Sequence, residues 1–214
     1  MKIEDRVRFA IEYGSVGEFE RAVDAICPAV EASARRLYNV DKISSADYKR
    51  FIRGYYFIIE PFSGTGLNMV ETTFTGLPVK TDGDRLISNA DVADVIYHCY
   101  RCAVAHGHAI SDDFSFTDAR IDGVTEWSLD LSGQRINLPT RIVWALVAAV
   151  VFCKANSDVK TASGQYLTYT GCGTWPEFRM DVDLFWGGEE LIRRFFEKFP
   201  PIRVAMRHSA DARK

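Results

Sequence analysis

The chain has 214 residues, of which 47% are hydrophobic and 26% charged, and its formal net charge is -3. These are the proportions of an ordinary globule able to bury a sizeable core as a single domain over residues 1–214, with the surface falling from roughly 35,000 Å² in the open chain to roughly 10,000 Å² when folded. They exclude a disordered chain and a protein that attracts nucleic acid by its overall charge, so any RNA site has to be a local basic patch.

Charges in the first six residues, Met-Lys-Ile-Glu-Asp-Arg, occupy the place where a secretory leader needs an apolar region. The first long helix is expected to start at Ser15, because Ser15-Val16-Gly17-Glu18 fits a capping box and Phe19, Val23, Ile26 and Val30 keep helical spacing. Pro28 should kink that helix or begin a second one running through Arg35 and Arg36. A third helix is predicted from Ser44 or Ser45 to Ile59, with Asp47 in its first turn and Pro61 just past its end. From Phe62 to Asp84 the Gly-rich and Thr-rich pattern reads as a loop with at most one short strand pair.

A fourth helix follows, with Ser88 as N-cap, Val92, Val95 or Ile96, Cys99 and Ala103 on its inward stripe, and Gly107 at its end. The period then changes to two. Trp127–Leu131, the turn Ser132-Gly133 and Gln134–Leu138 predict a β-hairpin, and Phe114-Ser115-Phe116 could add a strand, giving a β elaboration over about 114–138. The uninterrupted apolar run from Ile142 to Cys153 is shorter than the ~20 residues that span a bilayer. It predicts a helix buried on all sides within about 140–155. A second β-like region over about 165–184 and a last helix over about 189–199, stopped by Pro200-Pro201, complete the expected architecture: mainly α, in the α+β class, with its helical core at about 15–110 and 140–155. The odd set Cys27, Cys99, Cys102, Cys153 and Cys172 lacks disulfide-framework spacing and predicts reduced thiols in the cytoplasm.

The segment with most chemistry is Arg101-Cys102-Ala103-Val104-Ala105-His106. An obligate cation can neutralise charge on a phosphoryl oxygen, and an imidazole with an ordinary pKa of about 6.5 can move a proton near neutrality. On a straight α-helix residues five apart differ by about 140° around the axis and residues seven apart by about 20°, which aligns His108 better with Arg101. Gly107 is expected to end the helix between the two, so His106 is ranked first and His108 is its alternate. Tyr97, one turn before Arg101, could stack a base or sit at a dimer rim. Asp112 and Asp113 could orient His106 or form a solvated loop pair. Arg35, Arg36, Lys49, Arg50 and Arg53 could form an RNA-backbone patch or be merely solvated.

A second reading competes for the same helix. His98, Cys102 and His106 recur every four residues on one face and could hold zinc, although no second Cys/His cluster completes a tetrahedral site. Ligation would then take His106 away from proton transfer. Ser63-Gly64-Thr65-Gly66 lacks the Lys-Ser/Thr of a phosphate loop and reads as a turn.

The stretch from Ser88 to Ile110, and Arg101 to His106 above all, resembles the R-x4-6-H motif of the HEPN superfamily. The resemblance implies a helical bundle, here with a β-hairpin and a second short β-like insertion, and a homodimer in which two motif helices bring two Arg and two His to one cleft. It implies cofactor-free and metal-independent RNA cleavage in a toxin or defence setting, with RNA and a cognate antitoxin or defence protein as partners. A polar residue usually follows the motif Arg. Here it is Cys102, a weak thiol donor, which favours the alternative of a non-catalytic HEPN-like dimer that binds a protein or nucleotide partner.

Overall fold

The computed structural model describes residues 1–63, 66–75, 79, 86–101, 114–117, 120–121, 124–125, 128–130, 135–161, 164–170, 177–201 and 203–204. The fold is mainly helical with small β-sheets. Helix α1 spans Ile3–Ser15, α2 Phe19–Tyr38, α3 Ser45–Gly54 and α4 Tyr56–Ser63. A helical segment follows that begins as α5, Val92–Val95, and ends as a π-helical turn over Ile96–Arg101. Then come α6, Ile142–Phe152, the short α7, Val182–Phe185, and α8, Glu189–Lys198.

The expected helix start at Ser15 is a helix end. Ile3, Val7, Ala10, Ile11 and Gly14 bury one stripe of α1 at helical spacing, and the Ser15 hydroxyl donates back to the Ile11 carbonyl at 2.7 Å. Gly17, at φ +82, then reverses the chain into α2 without the penalty a Cβ would bring. Nor does Pro28 divide its helix: α2 runs from Phe19 to Tyr38 with Val23, Ile26, Cys27 and Val30 all in the core. Burial of that face outweighs the ~3 kcal/mol an interior proline costs. Asn39 closes α2 in the left-handed conformation, at φ 53.

The single helix expected from Ser44 to Ile59 is two. Ser44 and Asp47 form a reciprocal capping box on α3, but the chain breaks at Tyr55 and restarts as α4, which carries Pro61 inside it. Fully or nearly fully buried Tyr48, Phe51 and Ile52 on α3 and Ile58, Ile59 and Phe62 on α4 are directed into one core by the change of axis. The Tyr55 hydroxyl at the break donates to Glu189 Oε2 of α8 at 2.8 Å, which ties the C-terminal helix to the bundle. Helix α6 is the centre of that bundle. Every one of its residues except Trp144 is buried, and it packs on α4, α2 and α1.

The strands flank the helices, and Phe74, Ala90, Leu138, Leu167, Tyr169 and Met180 join their core: β1 Gly66–Leu67, β2 Thr73–Thr75, β3 Asn89–Asp91, β4 Phe114–Thr117, β5 Arg120–Ile121, β6 Val124–Thr125, β7 Ser128–Asp130, β8 Arg135–Pro139, β9 Tyr166–Thr170, β10 Glu177–Asp181 and β11 Arg203–Val204. The predicted hairpin is β7–β8, antiparallel with Leu129 opposite Ile136, the register a two-residue turn requires. Strand β4 adds to it in parallel, and β9–β10 is a second antiparallel pair. In the segment after α4, β1 pairs with the distant β11 and β2 pairs with β3, Thr73 facing Asp91, instead of forming one local pair. Among the described residues no helix is long and apolar enough to cross a membrane.

Candidate functional site

Strand β3 delivers the chain to the Arg101 segment, and the N-cap there is Asp91, not the expected Ser88. The Asp94 N–H donates to Asp91 Oδ1 at 2.9 Å and the Asp91 N–H donates to Asp94 Oδ2 at 3.2 Å, a closed capping box. Two cations of α3 grip the same carboxylates. Lys49 Nζ lies 2.8 Å from Asp94 Oδ1, Arg53 Nε lies 2.6 Å from Asp91 Oδ2, and a second Arg53 nitrogen reaches Asp94 Oδ2 at 3.3 Å. The Ala93 N–H adds a bond to the Tyr56 hydroxyl at 2.8 Å.

Burial acts to raise the Asp94 carboxyl, but the hydrogen bond from Lys49 and the capping amide prevail and hold it below the usual carboxylate range. Arg53 is pushed above its ordinary value by its hydrogen bond to Asp91. Burial raises the Tyr56 phenol, which stays a neutral hydroxyl able to accept the amide proton. The first turn of the Arg101 segment is therefore fixed by charge as well as by packing.

Beyond this anchor Val92, Ala93, Val95, Ile96 and Tyr97 are all buried. With Asp94, all six positions from 92 to 97 are buried, more than one α-helical stripe holds, and the chain passes into the π turn over Ile96–Arg101. Tyr97 is 7% exposed, its ring edge-on to Tyr48 at 5.4 Å and to His98 at 4.9 Å, with Lys49 Nζ 5.8 Å above it. It is therefore neither a base-stacking platform nor a rim residue within this chain; it is part of the packing beneath the segment. The backbone of Arg101 closes the π turn. Cys102, His106, His108, Asp112 and Asp113 lie outside the described residues. The metal set His98, Cys102 and His106 is thus described only at His98, and no group of three ligating side chains poised for a metal ion occurs among the described residues.

The expected backbone-binding patch divides. Lys49 and Arg53 pair with Asp91 and Asp94. The Arg50 guanidinium lies 4.7 Å over the Tyr38 ring. Arg36 is 2.7 Å from Asp158, and with Arg35, Lys2 and Lys160 it lines a groove of about 900 Å³ whose walls also carry Glu4, Asp41 and Asp158. This groove has mixed charge and no excess strong enough to follow a phosphate backbone by itself.

A second concavity, of about 600 Å³, opens between α1, α6 and β9, with Ile11, Phe62, Leu167 and Trp144 as its apolar walls and Arg141 and Gln165 among its polar groups. Periodicity does not mark it, because Trp144 stands inside an apolar run that reads as uniformly buried. The available signal was the bare juxtaposition of Arg141 with that run.

A family model described as Rv1289 matches residues 2–211. No curated protein and no solved structure matches the chain.

Proposed function

The chain belongs to the Rv1289 family, and for this member we propose a metal-independent endoribonuclease of HEPN type, acting through Arg101 and His106 at a cleft between two copies of the chain. The observation that carries the reading is the π turn that ends at Arg101 on a segment locked at its start. Turns closed by i→i+5 bonds are rare and are frequent at functional sites.

The chemistry follows from the two groups. The ribose 2′-hydroxyl attacks the adjacent phosphorus, forming the O2′–P bond while the P–O5′ bond breaks. His106 moves the proton from the attacking hydroxyl toward the departing 5′ oxygen, and the Arg101 pair stabilises the negative phosphorane. The products are a 2′,3′-cyclic phosphate and a 5′-hydroxyl, and DNA is not cut because it lacks the nucleophile. His108 is the alternate proton carrier.

A second reading, a non-catalytic dimer that binds a protein or nucleotide partner, is favoured by two facts. Cys102 follows the motif arginine, and the α3 cations that would hold RNA are paired internally. Cleavage of RNA by the purified chain in EDTA, wild type against Arg101→Ala and His106→Ala, separates the two. The nuclease reading expects a cyclic-phosphate product and losses of about 10²-fold or more in each variant. Intact RNA with the wild-type dimer overturns it in favour of the binding module, and activity abolished by EDTA together with stoichiometric zinc transfers His106 to a metal site with His98 and Cys102.

A further inference from the structure

The cleft of about 600 Å³ between α1, α6 and β9 falls within the size range of small-ligand pockets, about 300–1,000 Å³. Its chemistry starts from an exception in α6. Every residue of that helix is buried except Trp144, so the largest side chain of the helix is the one left partly open, and it lines the cleft. The six-membered ring of the indole occupies the space that a side chain at Gly14 would need: a Cβ there would come within 2.9 Å of Cη2 and 3.0 Å of Cζ2. Glycine in the last turn of α1 therefore gives the ring its seat.

The walls around the indole are held in place within the chain. Phe62 is 3% exposed and packs among Phe152, Tyr169 and Phe196, with ring centroids 6.4, 5.5 and 6.3 Å away. Tyr166, 47% exposed, carries the Arg179 guanidinium 4.0 Å above its ring, and Arg179 Nε donates to Asp181 Oδ1 at 3.0 Å. Ile11 and Leu167 add aliphatic sides. The charges of the lining are engaged as well: Glu12 pairs with Arg8 at 3.0 Å, and Arg141 has an interaction partner within the chain. The Ser15 hydroxyl donates to the Ile11 carbonyl. A charged ligand would have to displace one of these partners or leave water with its charge uncompensated.

We infer that this cleft binds an uncharged, planar molecule of fused aromatic rings, held by ring contact with Trp144, Tyr166 and Phe62 and not by ion pairing. Aromatic side chains favour offset-stacked or edge-on ring partners, a geometry that a saturated ring system of the same size does not supply. Walls already fixed in place lower the ordering cost of taking up such a ligand. The site is independent of the reading at Arg101.

Calorimetric titration of the full chain with 2-naphthol tests the inference, with 2-naphthoate, 2-naphthylmethylammonium and the saturated decahydro-2-naphthol as comparison arms. Saturable one-to-one binding of 2-naphthol is expected, about tenfold or more weaker for each of the other three. Gly14→Ala gains helix propensity but intrudes on the indole, and Trp144→Leu removes the ring, so each should lower the affinity about tenfold or more, while Arg101→Ala leaves it unchanged. Thermal midpoints of the same samples separate loss of the cleft from loss of the fold, and Gly14→Ala carries the test if Trp144→Leu unfolds. No saturable binding of 2-naphthol at millimolar concentration, a charged or saturated arm that binds as tightly, or binding that survives both cleft variants overturns it.

Discussion

Asn156 joins two helices that are more than a hundred residues apart in the chain. It is fully buried, and its Nδ2 donates to the Ser33 hydroxyl of α2 and to the Val150 carbonyl of α6, each at 2.8 Å. Ser33 in turn donates to the Ala29 carbonyl at 2.8 Å. Replacing Asn156 by Leu keeps the volume but removes two buried hydrogen bonds, so a loss of about 1–3 kcal/mol is expected in urea unfolding. Ser33→Ala should cost less, since Asn156 keeps Val150, and the double variant should fall short of the sum because the two side chains share a bond. Additive losses in that cycle would count against the linkage.

At the scale of elements the capping box of α5 and its two cations form one device. Asp94 has a folded pKa held below the ~3.9 of an unfolded aspartate, so its contribution is fully present above about pH 4 and is lost as the pH falls through the folded value. Asp94→Asn should therefore destabilise by about 2–3 kcal/mol at pH 7 and by progressively less as the pH falls below about 4, measured as the gap between wild-type and variant denaturation curves. Arg53, whose side chain is 42% exposed, should matter less, within about 1 kcal/mol on replacement by Ala. A gap that does not narrow in acid would refute the assignment.

This same device shows where the sequence could and could not be read. Helix α6, the β7–β8 hairpin and α8 were legible because local periodicity or turn chemistry dictates each of them. Asp91 and Asp94 were hidden because their partners Lys49 and Arg53 lie about forty residues upstream, and no local pattern records a pairing across that distance. Ser15 misled because Ser-x-x-Glu matches a capping box whether or not a helix follows, while the Ile3 to Gly14 stripe placed the helix before it. The π turn escaped since one added residue per turn leaves an apolar pattern that still resembles an α-helical stripe. Arg101 itself was legible as a spacing; what fixes its segment was not.

For the molecule as a whole, a net charge of -3 and a mixed-charge groove leave the proposed nuclease dependent on pairing two copies, since two arginines concentrate more positive potential than one chain holds. Specific activity should then fall on dilution in step with the dimer fraction seen by analytical ultracentrifugation. Activity per chain that stays constant while the protein is monomeric would refute the composite cleft.

The central position of α6 also sets a schedule for synthesis. Helices α1, α2 and α4 are complete by Ser63, yet the element they enclose ends at Phe152, roughly ninety residues later. At about 5–20 residues per second the ribosome needs about 5–18 s to make that stretch, and through that interval Val7, Ile26 and Ile58 have no α6 to cover them. The amino-terminal helices therefore wait for their partner during synthesis, and the length of chain between Ser63 and Ile142 sets the wait.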